Sequence, residues 1–346
     1  MSDSAASKYK NHMMIFGALL AIWGIFGWID VGNLAQGGWA EDGNNTVTQV
    51  LPGSPSEAAG LQVGDHIISV DGIARTDAQA AAQRGRPDVG ETWEFVVERD
   101  GATTSANVTF GELVPQRKLL AHAGFVVGFC FLGFSLWAYM RKQTKATMTL
   151  AVTGTFLSLA FLNGPYFESY TLRSLNNALT TIVIFLGVAA LLHFLLICPK
   201  RSAFLDKANA KRMLYAPGLA AGLFISFRIL ATPEATSALN TFTTVFVGLV
   251  VAFYLLSCLV TVYRSYSGSS AAERGSQGLN LMLIGTLVGL TLPLIGTVVG
   301  VVAPQVVLPG QNFYFLTFVL IPITWSMAAL KADDSGMATE SFAAAE

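Results

Sequence analysis

Eight separate runs of apolar residues divide this chain, and that pattern leaves few folds open to it. They fall near His12–Trp28, Leu119–Met140, Thr147–Asn163, Ala178–Cys198, Met213–Ala231, Phe242–Tyr263, Leu279–Val302 and Phe313–Leu330. Most come close to the roughly 20 residues that a helix needs to cross a bilayer. Only 12% of the 346 residues are charged, and the mean hydropathy is +0.53. Soluble domains carry about 25% charged residues. The expectation is an α-helical polytopic membrane protein of about eight transmembrane helices, with membrane lipid as its neighbour. The first run is long for the core of a signal peptide and no A-x-A site follows it, so it reads as a retained anchor. A net charge of −1 argues against nucleic acid as a partner.

Lys and Arg placement orients the helices. With the N-terminus in the cytoplasm, the inner segments 1–11, 141–146, 199–212, 264–278 and 331–346 hold thirteen of the 21 basic residues. The outer loops of the bundle hold only Arg173, and Arg228 lies near the outer end of its own run. Both termini are therefore expected inside the inner membrane. The polar stretch between the first two runs, with Arg75, Arg84, Arg86, Arg99, Arg117 and Lys118, is expected outside. The divisions are 1–29 (cytoplasmic start and first helix), 30–115 (outer domain), 116–330 (seven-helix bundle) and 331–346 (short polar tail).

Within the outer domain, Thr46 to Gly72 reads as strand, capped short helix, turn, strand and turn. Ser54-Pro55-Ser56-Glu57 has the residue types of a capping box with Pro at the first helical position. Gly60 stands where a helix ends in the left-handed conformation, and Leu61 is placed for the contact that accompanies it. Gly64-Asp65 and Asp71-Gly72 are turns on either side of His66–Val70. Asp77–Arg84 reads as a short helix. Trp93, Phe95 and Val97, then Ala106, Val108 and Phe110, alternate with polar or smaller positions across an Asp100-Gly101 hairpin.

This arrangement resembles a PDZ domain. The residues that carry the resemblance are Gly53-Ser54-Pro55, Ala59-Gly60-Leu61, Gly64-Asp65, Ile67-Ile68 and Val70-Asp71-Gly72. The fold class is then a helical membrane protein with one inserted small α+β PDZ-like domain. The resemblance implies a groove that takes an extended peptide as an added strand and captures a terminal carboxylate on backbone N–H groups. Gly37-Gly38-Trp39-Ala40 is the candidate for the carboxylate loop, departing from the family in that Trp39-Ala40-Glu41-Asp42 stands where a small or apolar run is usual, and Ala78, Ala81 and Ala82 would form the facing helical wall. The charge of Glu41 and Asp42 would repel a carboxylate. The order of anchor, outer domain and helical block is also similar to the sensor half of competence-pheromone-type receptor histidine kinases. Leu191-Leu192-His193-Phe194 through Cys198-Pro199 and Leu320-Ile321-Pro322 carry that likeness. No kinase region follows, so an output would pass through a membrane-protein partner.

Motifs for catalysis are missing from the sequence. There is no H-E-x-x-H, no G-x-S-x-G and no P-loop. Of four histidines, His12, His66, His122 and His193, the last two should lie roughly 20 Å apart by helix rise, so no haem or metal is expected and no cofactor is implied. Cys130, Cys198 and Cys258 lie in apolar runs and read as buried thiols. Arg228 and His193 are the intramembrane candidates by default; the plainer readings are snorkelling past Thr232-Pro233 and an interfacial histidine. Asp30 reads as a solvated helix end. Gly pairs four apart (124/128, 218/222, 285/289 and 296/300) fit close helix packing, within one bundle or between copies. Pro293 and Pro322 should kink their helices.

The leading expectation is a receptor or adaptor that binds extracytoplasmic peptides or protein termini and relays or anchors through the bundle. The alternatives are a transporter or enzyme with its site in the bundle, or a scaffold of a membrane complex.

Overall fold

The computed structural model describes residues 3–42, 44–231, 237–303, 306 and 308–332. Thr232-Pro233 and the tail from residue 333 onward therefore lie outside the described residues.

Helix α1 (Asp3–Asp30) leads into a small β-rich unit and α4 (Pro115–Arg141) leads out of it. At the junction β1 (Ala35–Gln36) pairs antiparallel with β8 (Gly111–Glu112), which brings the two connections side by side. Between them lie β2 (Trp39–Glu41), β3 (Val47–Val50), α2 (Pro55–Ala58), β4 (His66–Val70), β5 (Ile73–Ala74), α3 (Ala78–Arg84), β6 (Thr92–Arg99) and β7 (Ala102–Thr109). The main sheet has the order β5-β4-β6-β7, and β2 and β3 form a separate ladder.

Local chemistry accounts for these elements. Ser54 caps α2, accepting the Glu57 N–H at 3.3 Å, and Pro55 occupies the first helical position. The Glu57 carboxylate reaches the Gly53 N–H at 2.6 Å rather than that of Ser54, which is already bonded to the Leu51 carbonyl. Gly60 ends the helix at φ +82°, and Leu61 is buried behind it. Asp71-Gly72 and Asp100-Gly101 both have two successive positive φ values. They are the two-residue turns that match strand twist, here joining β4 to β5 and β6 to β7. Phe95, Val97, Ala106, Val108 and Phe110 share one face and close a core with Val47, Leu61, Ile67 and Val70.

Among the described residues, seven helices are long and apolar enough to cross a membrane: Tyr9–Asn33, Pro115–Arg141, Tyr170–Ile197, Ala210–Ala231, Leu239–Ser267, Leu279–Val302 and Gln311–Lys331. The remaining apolar run forms α5 (Lys145–Ser158), a helix of only 14 residues. Its Thr144–Thr147 capping box starts it. Thr149, Thr153, Thr155 and Ser158 return their hydroxyls to carbonyls three or four residues back. That lets a threonine-rich helix sit buried in the bundle. Helices α6 (Tyr170–Ile197), α7 (Ala210–Ala231), α8 (Ser237–Ser267), α9 (Ala271–Ser276), α10 (Leu279–Val302) and α11 (Leu320–Lys331) complete the chain.

Two contacts define the ends of the bundle. Lys142 donates to the Ala332 carbonyl at 2.6 Å, so the close of α4 and the close of α11 meet. Tyr166 and Arg173 touch the β-rich unit, so the chain after α5 lies at the opposite end. Short as it is, α5 returns the chain from one end towards the other.

Five of the eight paired glycines pack closely within this chain, whereas a Cβ on Gly124 or Gly296 would make only ordinary contact and one on Gly300 would meet nothing within 4 Å. An added Cβ at Gly128, Gly218, Gly222, Gly285 or Gly289 would press on Leu162, Phe185, Ile182, Thr324 or Ile321 of this same chain. Pro293 lies within α10, but Pro322 falls in the first turn of α11, after a 3-10 stretch, where a proline is tolerated and no interior kink arises. A third proline, Pro217, lies within α7. There the Tyr254 hydroxyl accepts the Gly218 N–H at 3.0 Å and donates to the Leu214 carbonyl at 2.6 Å, bridging a step of the helical ladder. Cys198 and Cys258 are buried thiols, whereas Cys130 is part-exposed on α4.

Candidate functional site

The edge of β2 away from β3 faces α3 across a cavity of about 180 Å³. Trp39 forms its floor, edge-on to Phe95 at 4.9 Å between ring centres. Val70, Ile73, Ala81 and Trp93 complete the apolar lining. An exposed strand edge beside an apolar trough can take an extended segment, with backbone hydrogen bonds on one side and alternate side chains in the trough.

Charged groups shape the mouth. Glu41 is ion-paired with Arg75, and Asp42 accepts the N–H groups of Asn44 and Thr46 at 2.8 and 2.9 Å. Glu41 is thus neutralised at the mouth itself by Arg75, while Asp42 keeps its charge and is held within its own loop. Arg84 lies over the Trp93 ring at 3.3 Å. It donates to the Val70 carbonyl at 2.9 Å and to Asp71 at 2.7 Å. Burial lowers the Arg84 pKa from its ordinary value, with Asp71 and Glu91 acting in the opposite sense.

The expected site residues divide. Trp39 and Ala81 line the cavity. Gly37 and Gly38 lie beside it and fit only glycine. A Cβ on Gly37 would meet the Trp39 ring at 1.9 Å, and one on Gly38, at φ +89°, would meet Ser54 at 2.2 Å. The Gly37 carbonyl accepts the N–H and hydroxyl of Ser56, which ties this loop to α2. Ala40 is exposed opposite Gln49. Ala82 turns its carbonyl out of the groove, to Arg173 at 2.6 Å. The side chain of Ala78 lies outside the described residues.

Sequence reasoning missed the attachment of α3 to the bundle. Arg86, two residues beyond α3, makes a two-pronged ion pair with Asp30 at 2.7 and 2.6 Å. Asp30 is therefore a paired group, not a merely solvated helix end. The Arg86 guanidinium lies 4.2 Å from the centre of the Tyr166 ring, and the backbone N–H of Arg86 donates to the Tyr166 hydroxyl at 2.9 Å. Gly85, at φ +89°, leaves the space that this hydroxyl fills. Arg173 donates to Tyr166 at 2.9 Å as well as to Ala82. The one signal on offer was that Arg173 is the sole cation of the outer bundle loops.

The intramembrane candidates are apart from this region. Arg228 donates to Thr243 at 2.6 Å and to Asn240 at 3.0 Å, both in the first turns of α8. His193 lies 3.0 Å from the Tyr215 hydroxyl, towards the end of the bundle away from the groove. His122 lies against Trp28 at the other end, with ring centres 4.5 Å apart and planes tilted by 31°. Among the described residues, no group of three His, Cys, Asp or Glu could hold a metal ion.

Residues 46–99 match the PDZ domain family. Over 85 residues the chain is 38% identical to a probable periplasmic serine endoprotease DegP-like of Ectopseudomonas mendocina (strain ymp), covering 24% of this chain and 18% of that protein. The chain thus spans under a fifth of the length of this relative. No solved structure matches. The inserted unit contains a PDZ domain, and Gly37–Glu41 precede the matched residues.

Proposed function

We infer that the chain is a membrane receptor or adaptor. Its PDZ domain takes an extended peptide or protein terminus, and its helical bundle receives that event. The observation that carries this reading is the double role of α3. One side of α3 walls the groove through Ala81 and Arg84. Its Ala82 carbonyl and the following Gly85-Arg86 are held by Arg173, Tyr166 and Asp30. A ligand that shifts α3 acts directly on α1 and on the start of α6. The basic residues argue that the PDZ domain faces the extracytoplasmic side and both termini the cytoplasm. The reading includes no catalytic step; any downstream output belongs to a partner.

Hydrogen exchange on the full-length protein in nanodiscs tests this, with a peptide selected for binding to the PDZ domain. Protection should change at 78–86 and also at 170–177, and Arg173→Met should abolish the second change while leaving the first. Binding with no change at 170–177 in the wild type would leave a tethered binding module without relay.

A further inference from the structure

At the end of the bundle away from the PDZ domain, a cavity of about 470 Å³ opens between the close of α6 and the close of α8. Helix length sets its depth. Helix α6 has 28 residues and α8 has 31, which rise about 42 Å and about 46 Å. The hydrocarbon core is about 30 Å thick, and the bilayer with its headgroups about 40–45 Å. From Arg173 beside the PDZ domain, α6 therefore crosses the apolar layer and ends at headgroup level. Leu195, Leu196 and Phe204 form an apolar floor there, and Lys200, Arg201 and Arg264 stand around it.

The charge of the lining is one-sided. No Asp or Glu lines the cavity. Arg201 is paired with Asp206 at 3.0 Å, so the charge that stays open belongs to Lys200 and Arg264. Both are exposed at the mouth, and neither is ion-paired among the described residues. Glu273 feels the charge of Lys200, but its carboxylate is engaged on the Ser270 N–H at 2.7 Å, the main reason that its pKa lies below the ordinary value. Arg274 donates to the Tyr266 and Ser269 carbonyls and adds a further positive charge at the rim. Thr261 returns its hydroxyl to the Ser257 carbonyl, and Ser265 follows it one turn on in the lining. A guanidinium and an ammonium beside a hydroxyl are donors suited to a phosphate group.

The neighbouring side of α8 decides where that phosphate comes from. Phe253, Leu256, Val260 and Tyr263 are exposed at helical spacing, a stripe that faces lipid. Arg264 is the next residue round from this stripe, and Thr261 and Ser265 lie beyond it, so the cavity opens beside the acyl chains. Basic pockets between membrane helices take anionic headgroups. We propose that this cavity binds the headgroup phosphate of an anionic phospholipid, with Lys200 and Arg264 on the phosphate and the acyl chains running down the α8 stripe. A zwitterionic headgroup is disfavoured because its own ammonium would meet these two cations with no carboxylate in the lining to receive it. The inference stands independently of peptide binding at the groove.

Native mass spectrometry of the full-length protein in an uncharged detergent tests it. Palmitoyl-oleoyl phosphatidylglycerol is the probe, phosphatidylcholine with the same chains the zwitterionic counterpart, and inorganic phosphate the free anion. The wild type should retain one phosphatidylglycerol, with phosphatidylcholine at least tenfold weaker and no displacement by an equal concentration of inorganic phosphate. Lys200→Gln with Arg264→Gln should lower phosphatidylglycerol retention at least tenfold, to the level of phosphatidylcholine. Lys211→Gln with Arg212→Gln removes the same charge from the start of α7, outside the cavity lining, and should leave retention unchanged. All four positions are exposed, so the comparison does not depend on repacking a core. Absence of retention by the wild type, phosphatidylcholine held as tightly, displacement by inorganic phosphate, or equal loss in the two double variants would overturn the proposal.

Discussion

Asp65 shows how much one side chain can organise in a small domain. It is 1% exposed as a side chain, accepts the Gln62 N–H at 2.8 Å, and receives Arg99 at 2.6 and 2.7 Å. Arg99 also donates to the Gly60 carbonyl at 2.8 Å, so the turn from Gly60 to Asp65 is fastened to the end of β6. The Arg99 guanidinium holds the Asp65 carboxyl below the usual carboxylate range. A depressed folded pKa contributes stability that is present above the unfolded value, about 3.9. That stability is lost as pH falls through the lower folded value. Asp65→Asn should therefore cost about 2 kcal/mol near neutral pH, and its difference from wild type should shrink below about pH 4. Denaturant melts of the PDZ domain across pH 3–7 check this; a difference constant with pH would show that the ionised form contributes nothing. Gly60→Val tests the neighbouring backbone. A β-branched residue at φ +82° should cost about 1–3 kcal/mol, and melting like wild type would mean that the turn can be rebuilt without the left-handed residue.

At the scale of elements, α3 carries the argument, because its two sides face different parts of the molecule. Enlarging Ala81 to Phe should fill the 180 Å³ trough and abolish peptide binding while the domain still melts cooperatively. Soluble peptides should bind the isolated domain weakly, with a Kd of about 10 μM or worse, equivalent to roughly 7 kcal/mol. A groove held near the bilayer meets the termini of neighbouring membrane proteins at high effective concentration, and weak affinity then suffices. Titrations with free and amidated C-termini measure both points. Binding indifferent to amidation and to Ala81→Phe would place the ligand elsewhere. The Gly37-Gly38 loop needs its glycines for Trp39 and Ser54, so replacing them would report on packing as well as on carboxylate capture.

For the whole molecule, the β-rich unit stands at one end of the bundle, while the described start of α1 and the end of α11 stand at the other. Lys142 bonded to Ala332 and Arg86 bonded to Asp30 mark the two ends. The basic residues concentrate at the first of these. Reporter fusions should follow: one after Glu346 active only in the cytoplasm, and one inserted near Arg86 active only outside it. The reverse pattern would invert the orientation drawn from charge while leaving the relation between the two ends intact.

What the sequence determined by itself was whatever depends on neighbours within a few residues or on the period of a run. Asp71-Gly72 and Asp100-Gly101 are turns because two adjacent residues accept positive φ, and Ser54-Pro55 starts α2 by capping and a preset φ. Phe95 with Val97, and Val108 with Phe110, point inward by strand alternation alone. The long apolar runs declared the membrane through length and composition. Ala81 was within reach because it falls within the PDZ-like unit, and Trp39 because a carboxylate loop must precede the strand at Val47. Only the tertiary structure could join Arg86 to Asp30, 56 residues apart, or Arg173 to Ala82, 91 residues apart. An arginine's partner depends on which surfaces meet, and no local pattern encodes that meeting. The early stop of α5 belongs with these contacts. Thr147–Asn163 carries no charge, yet its last residues leave the helix to fit the glycine notches of α1, and that shape exists only once α1 is in place.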